Sequence, residues 1–110
     1  MPDTRQLDLR AMRAAATQAC ALLKVLGNPD RLMLLCQLTQ GEYAVGELES
    51  LLGIVQPTLS QQLAVLREEK LVGTRREGKQ IFYRIDSDAA LAVMQVLYQQ
   101  FCLPNQGVAT

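Results

Sequence analysis

Leu48-Glu49-Ser50-Leu51-Leu52-Gly53-Ile54-Val55-Gln56-Pro57-Thr58-Leu59-Ser60-Gln61-Gln62-Leu63-Ala64-Val65-Leu66 is the stretch that decides the fold. It reads as two short amphipathic helices separated by a glycine-containing turn. Leu59, Leu63 and Leu66 recur at helical spacing and predict a buried stripe, which leaves Thr58, Gln61 and Gln62 to face outward. Gln56, Thr58, Ser60 and Gln61 gather amides and hydroxyls at the leading end of the second helix, and such groups can read base edges in a major groove.

Immediately downstream, Val72-Gly73-Thr74-Arg75-Arg76-Glu77-Gly78-Lys79-Gln80-Ile81-Phe82-Tyr83-Arg84-Ile85 predicts a basic hairpin. Thr74, Arg76, Gln80 and Phe82 come from its two strands, joined through Glu77-Gly78. Helix, turn, helix and basic hairpin in this order predict a winged helix-turn-helix. The fold class is mainly α with a small β-hairpin wing. On this reading Gln56, Thr58, Ser60, Gln61, Gln62 and Gln80 form the DNA-facing surface. Arg67, Arg75, Arg76 and Lys79 hold phosphates or enter the minor groove beside the wing. The bland alternative makes the polar residues of the second helix an ordinary solvated face. The ordered succession of elements outweighs it.

Three further helices follow from the same reasoning. Met12, Ala16, Ala19, Leu23 and Leu26 predict a first helix over about residues 8–26. Gly27-Asn28-Pro29 ends it and starts a second, with Asn28 as N-cap and Pro29 at the first helical position. This helix runs to about Thr39, with Leu32, Leu35, Cys36 and Leu38 as its apolar positions and Gly41 as a left-handed stop. A last helix begins after Asp86 or Ser87 and reaches about Cys102. Ala89, Ala90, Leu91, Val93, Met94, Val96, Leu97, Tyr98 and Phe101 cover more than one of its faces. A terminal helix of that kind needs a second partner surface, and a homodimer supplies it.

With 110 residues the chain is expected to be one domain over 1–110, with loose ends at 1–7 and 104–110. Eleven basic residues balance eleven acidic ones, which argues against indiscriminate binding of polyanions. The distribution is uneven. Arg67, Lys70, Arg75, Arg76, Lys79 and Arg84 outnumber Glu68, Glu69 and Glu77 over residues 56–85, whereas Glu42, Glu47, Glu49, Asp86 and Asp88 lie outside the helix and wing. No signal peptide and no membrane span is apparent, so a cytoplasmic location is expected.

The three cysteines are then expected to rest as thiols. Cys20 lies beside the stripe of the first helix, Cys36 in the second helix, and Cys102 at the end of the last. Cysteine packs as a small hydrophobe, so core packing competes with any functional reading, most strongly for Cys36. The chain has no histidine, no CxxC, no phosphate loop and no nucleophile-base set. It lacks the usual general base near neutral pH, so enzymatic function is not expected. No cofactor and no resident metal is called for. Asp86 and Asp88 are a weak oxygen pair with an ordinary helix-start role.

Leu22-Leu23-Lys24-Val25-Leu26-Gly27-Asn28-Pro29-Asp30-Arg31-Leu32, Val45-Gly46-Glu47-Leu48, Gln56 to Arg67, and Gly78-Lys79-Gln80-Ile81-Phe82-Tyr83 together resemble the ArsR/SmtB family of repressors. The resemblance implies a winged-helix homodimer, joined through its first and last helices, that leaves an inverted-repeat operator in double-stranded DNA when an inducer binds. Metal-sensing members carry a cysteine pair in the third helix where this chain has Ala44 and Gly46, and Asp and His ligands in the last helix. Neither set is present here.

Leu32-Met33-Leu34-Leu35-Cys36 and Tyr98-Gln99-Gln100-Phe101-Cys102 resemble a sulfide- and persulfide-responsive subgroup of that family. The resemblance assigns Cys36 and Cys102 as sensor thiols, bridged by sulfur when reactive sulfur species act as inducer. Cys20 stands outside that pattern and leaves a second reading open, a repressor responding to arsenite or another thiophilic ion through thiolates that include Cys20. A thiol enzyme and a winged helix used only for protein contacts are the readings from other classes.

Overall fold

Asp8 opens the first helix by accepting the Arg10 N–H on Oδ1 at 2.9 Å, and α1 then runs Leu9–Leu26. The computed structural model describes residues 8–103, so the ends expected to be loose lie outside the described residues. Helix α2, Pro29–Leu38, starts as its sequence predicts: Asn28 Oδ1 accepts the Arg31 N–H at 3.0 Å and Pro29 fills the first turn. Thr39 ends α2, and Gly41 follows at φ 144°, so the helix closes before the glycine expected to stop it.

Helix α3, Val45–Leu52, is held at its start by Glu47, whose Oε1 accepts the Ala44 N–H at 2.8 Å. Gly53 ends it at φ 70°, a left-handed conformation that glycine adopts without a Cβ penalty. Helix α4 runs Thr58–Glu68. Strands β2, Val72–Glu77, and β3, Gln80–Ile85, form the wing in the register Val72↔Ile85 through Glu77↔Gln80. The turn residues are therefore Gly78 and Lys79, one position beyond the expected Glu77-Gly78, with Gly78 at φ 63°.

A third strand, β1, Tyr43–Ala44, pairs antiparallel with β3 and makes the sheet order β1-β3-β2. Two residues carry no readable alternation, which is why the sequence does not announce this strand. The last helix also differs from expectation. Helix α5 covers Asp88–Leu97, capped by Ser87 Oγ, which accepts the Ala90 N–H at 3.1 Å. The chain then widens into a π-helical turn over Tyr98–Cys102.

The core is assembled from α2, α3 and α4. Leu34, Leu35, Leu48, Leu59, Leu63 and Leu66 are fully buried, and Ala90 and Met94 of α5 join the same cluster. Leu34, absent from the expected apolar set of α2, is one of its most buried residues, whereas Leu32 and Cys36 are half-buried beside the cluster. Only Val25 and Leu26 of α1 are buried, and Leu23 and Met12 stay 60% and 48% exposed. Phe101, just past α5, is 65% exposed. Among the described residues no helix is long and apolar enough to cross a membrane.

Candidate functional site

The buried stripe of α4 fixes what the helix presents outward. Leu59, Leu63 and Leu66 turn inward, so Ser60, Gln61, Ala64, Arg67 and Glu68 are exposed on the opposite side, with Thr58 half-buried. A groove between α4 and the wing is lined by Ser60, Ala64, Arg67, Glu68 and Tyr83. Tyr83 is not among the expected site residues, although strand alternation places it on the same sheet face as Thr74, its partner in β2.

Two glutamines expected to face DNA are engaged within the protein. Gln56 Oε1 accepts the Ser60 N–H at 3.0 Å and so caps α4, a helix whose start has no Ser, Thr, Asp or Asn cap. Gln62, expected to face outward, instead accepts Arg31 Nη1 on its Oε1 at 2.9 Å, from α2. The spacing contains the reason. Gln62 lies three residues after Leu59 and four before Leu66, so it flanks the buried stripe rather than opposing it.

The wing cations divide in the same way. Arg75 Nε donates to Glu42 Oε1 at 2.7 Å, Arg75 Nη1 donates to Glu77 Oε2 at 2.6 Å, and the guanidinium stacks 4.6 Å from the centre of the Phe82 ring. The hydrogen bond to Glu77, then that to Glu42, pushes the Arg75 pKa above its ordinary value. Arg75, expected to hold a phosphate, is thus occupied by two carboxylates. Arg67, Arg76, Lys79 and Gln80 are exposed, and among the described residues Arg67, Arg76 and Lys79 have no ion pair.

Cys36 and Cys102 meet where α2 packs against the end of α5. Both are half-buried free thiols. Burial pushes the Cys36 thiol up, and the charge of Cys102 and a hydrogen bond with Cys102 push it further. The π-helical turn carries Cys102 to this position. Clefts open on both sides of Cys36. One is lined in part by Met33, Gln37 and Leu52, the other by Thr39, Gln95 and Gln99, and no charged side chain lines either. Cys20 is exposed on α1. Among the described residues no three His, Cys, Asp or Glu side chains gather as a metal site.

Residues 28–74 match the model of the bacterial regulatory protein arsR family. The biofilm growth-associated repressor of Agrobacterium fabrum is 54% identical over 96% of this chain and 91% of its own length. The chain belongs to the arsR family. The crystal structure of the transcriptional repressor BigR from Xylella fastidiosa superposes with a TM-score of 0.80 at 51% identity, covering 87% of this chain and 98% of that one. Reduced HlyU from Vibrio cholerae superposes at 0.81 with 40% identity, over 86% and 99% of the two chains. The protein is a winged helix-turn-helix DNA-binding repressor of the arsR family, resembling BigR, and not an enzyme.

Proposed function

We propose that this repressor binds an inverted-repeat operator as a homodimer and releases it when reactive sulfur bridges Cys36 and Cys102. The observation that carries the proposal is that two half-buried free thiols lie together where α2 meets the π-helical turn, near enough for Cys102 to push up the Cys36 pKa. The dimer is supported by exposed apolar side chains on α1 and α5, at Met12, Leu23 and Val96. Gln61, Ser60 and Thr58 read bases, while Arg67, Arg76 and Lys79 neutralise phosphates.

Cys36 is disfavoured as a thiolate, so it holds its proton while Cys102 opens the reaction. Cys102 takes the sulfane sulfur of one persulfide RSSH, releasing RSH, and then takes a second sulfur in the same way. Cys36 attacks the middle sulfur of the resulting chain and expels hydrosulfide, which leaves as hydrogen sulfide after taking up the thiol proton. The sum is two thiols and two RSSH giving one Cys–S–S–S–Cys bridge, two RSH and one hydrogen sulfide. The two cysteine sulfurs lose two electrons between them, and the sulfane sulfur that departs as hydrogen sulfide gains both. The bridge ties α2 to the end of α5 beside the dimer surface and selects a spacing of the reading helices that does not fit the operator.

The test combines mass spectrometry of the reduced protein after exposure to a low-molecular-weight persulfide with operator binding before and after. A bridge carrying added sulfur at Cys36 and Cys102, with Cys20 unmodified and operator affinity lost, is the expected result. Operator release by arsenite that requires Cys20 replaces this reading with the thiophilic-ion one. Inert Cys36 and Cys102 reduce both residues to packing.

A further inference from the structure

We infer that Arg31 is a positioning residue for the reading helix, setting the rotation of α4 through a guanidinium bridge to Gln62 and the end of α1. The inference rests on the DNA-reading role of α4.

Arg31 is half-buried on α2 and reaches in two directions. Its Nε donates to the Val25 carbonyl at 2.6 Å, and its Nη2 approaches the Lys24 carbonyl at 3.5 Å. These carbonyls belong to the last turn of α1, beyond which the helix supplies no further donors; the Lys24 carbonyl also accepts the Gly27 N–H at 3.3 Å. Its Nη1 donates to Gln62 Oε1 at 2.9 Å on α4. One planar fork therefore spans three helices, and no carboxylate among the described residues pairs with it. Lysine cannot reproduce this, because an ammonium lacks the fixed fork.

The rest of the hold on α4 is apolar. Leu59, Leu63 and Leu66 pack without directional bonds and tolerate small rotations of the helix about its axis. The bond to Gln62 is directional, and it lies one residue from Gln61 and two from Ser60. Rotation of α4 moves those two side chains across the groove floor, and paired hydrogen bonds to a base tolerate little such movement. Phosphate contacts from the wing do not depend on that rotation. Loss of the bridge should therefore lower sequence discrimination while leaving electrostatic binding in place.

The experiment uses the full-length protein and a duplex selected by the wild type from a random-sequence pool, with a scrambled duplex as control. Affinities for both are measured across a salt series, with melting temperatures alongside. Gln62→Leu and Arg31→Met are expected to weaken the selected duplex by about tenfold while leaving the scrambled duplex and the salt slope unchanged. The double variant should be no weaker than either single one, because both remove the same bridge. Gln62→Glu should keep the bridge and stay near wild-type discrimination. Gln62→Leu serves even if Arg31 variants fold poorly, since it removes only one end of the bridge.

Unchanged discrimination in Gln62→Leu overturns the inference. A salt slope that falls by about one in Arg31→Met overturns it in favour of a phosphate contact. A changed base preference in Gln62→Glu overturns it in favour of direct readout by Gln62. Failure of the wild type to select any duplex overturns the DNA-reading role itself, and this inference with it.

Discussion

Glu42 Oε1 lies 2.7 Å from Arg75 Nε and ties the outer strand of the wing to the segment leading into β1. Glu77 holds the same guanidinium from within the strand. The pair is solvent-exposed, so it serves placement and charge balance more than stability. Glu42→Gln should therefore change the melting temperature little and strengthen DNA binding at low salt, because one carboxylate no longer offsets Arg75. The check is the slope of log affinity against log salt, which should steepen by up to about one. An unchanged slope would mean that Arg75, still held by Glu77, does not approach the phosphates once Glu42 is neutral.

The exposed residues of α4 and the wing should separate by the kind of contact they make. Arg76→Ala and Lys79→Ala are each expected to weaken selected and scrambled duplexes alike, with the salt slope shallower by about one. Gln61→Ala should leave the slope intact and relax preference at one base position, by roughly 1–3 kcal/mol. Binding isotherms on single-base variants of the selected duplex decide between the two patterns. A uniform loss in Gln61→Ala would remove it from the reading surface.

What the sequence makes legible here is what depends on near neighbours. Asn28-Pro29 starts α2, Gly53 stops α3, and Leu59, Leu63 and Leu66 orient α4, because each is a matter of local backbone or helical period. The pairing of Arg75 with Glu42 and of Arg31 with Gln62 spans more than thirty positions, and no local rule reveals which cation meets which acceptor. Gln56 is an intermediate case: a glutamine four residues before an uncapped amide is readable as a cap, but it competes with the reading of an exposed amide as a base contact. The family resemblance points to Cys36 and Cys102 together. The π-helical turn by which Cys102 reaches Cys36 has no sequence signature of its own.

Leu63 tests whether the reading helix draws its stability from the core or from its own propensity. It is 1% exposed and sits between Leu59 and Leu66 in the main cluster. Leu63→Ala should cost about 2–5 kcal/mol in chemical denaturation, through lost burial and the cavity left behind. A cost below about 1 kcal/mol would mean that the surrounding leucines collapse into the space.

The raised pKa of Cys36 makes two predictions about pH, and they share a cause. Burial leads, followed by the charge of and hydrogen bond with Cys102, all of which disfavour the Cys36 thiolate. At neutral pH Cys36 is therefore a thiol, and its attack in bridge closure is limited by the small thiolate fraction. Closure followed by quenched mass spectrometry should accelerate by about tenfold per pH unit below the folded-state pKa, with no plateau between pH 7 and the ordinary value of 9.0. For stability, the unfolded chain loses this proton near 9.0 while the folded chain keeps it to higher pH. Folded protein then binds more protons than unfolded, so stability falls as pH rises. The contribution is fully present below 9.0 and is lost as pH climbs through the folded value. Cys36→Ala lacks the titration, so the melting-temperature advantage of wild type over this variant should shrink above pH 9.0. A constant advantage across that range would mean that Cys36 ionises as readily in the folded protein as in the unfolded chain.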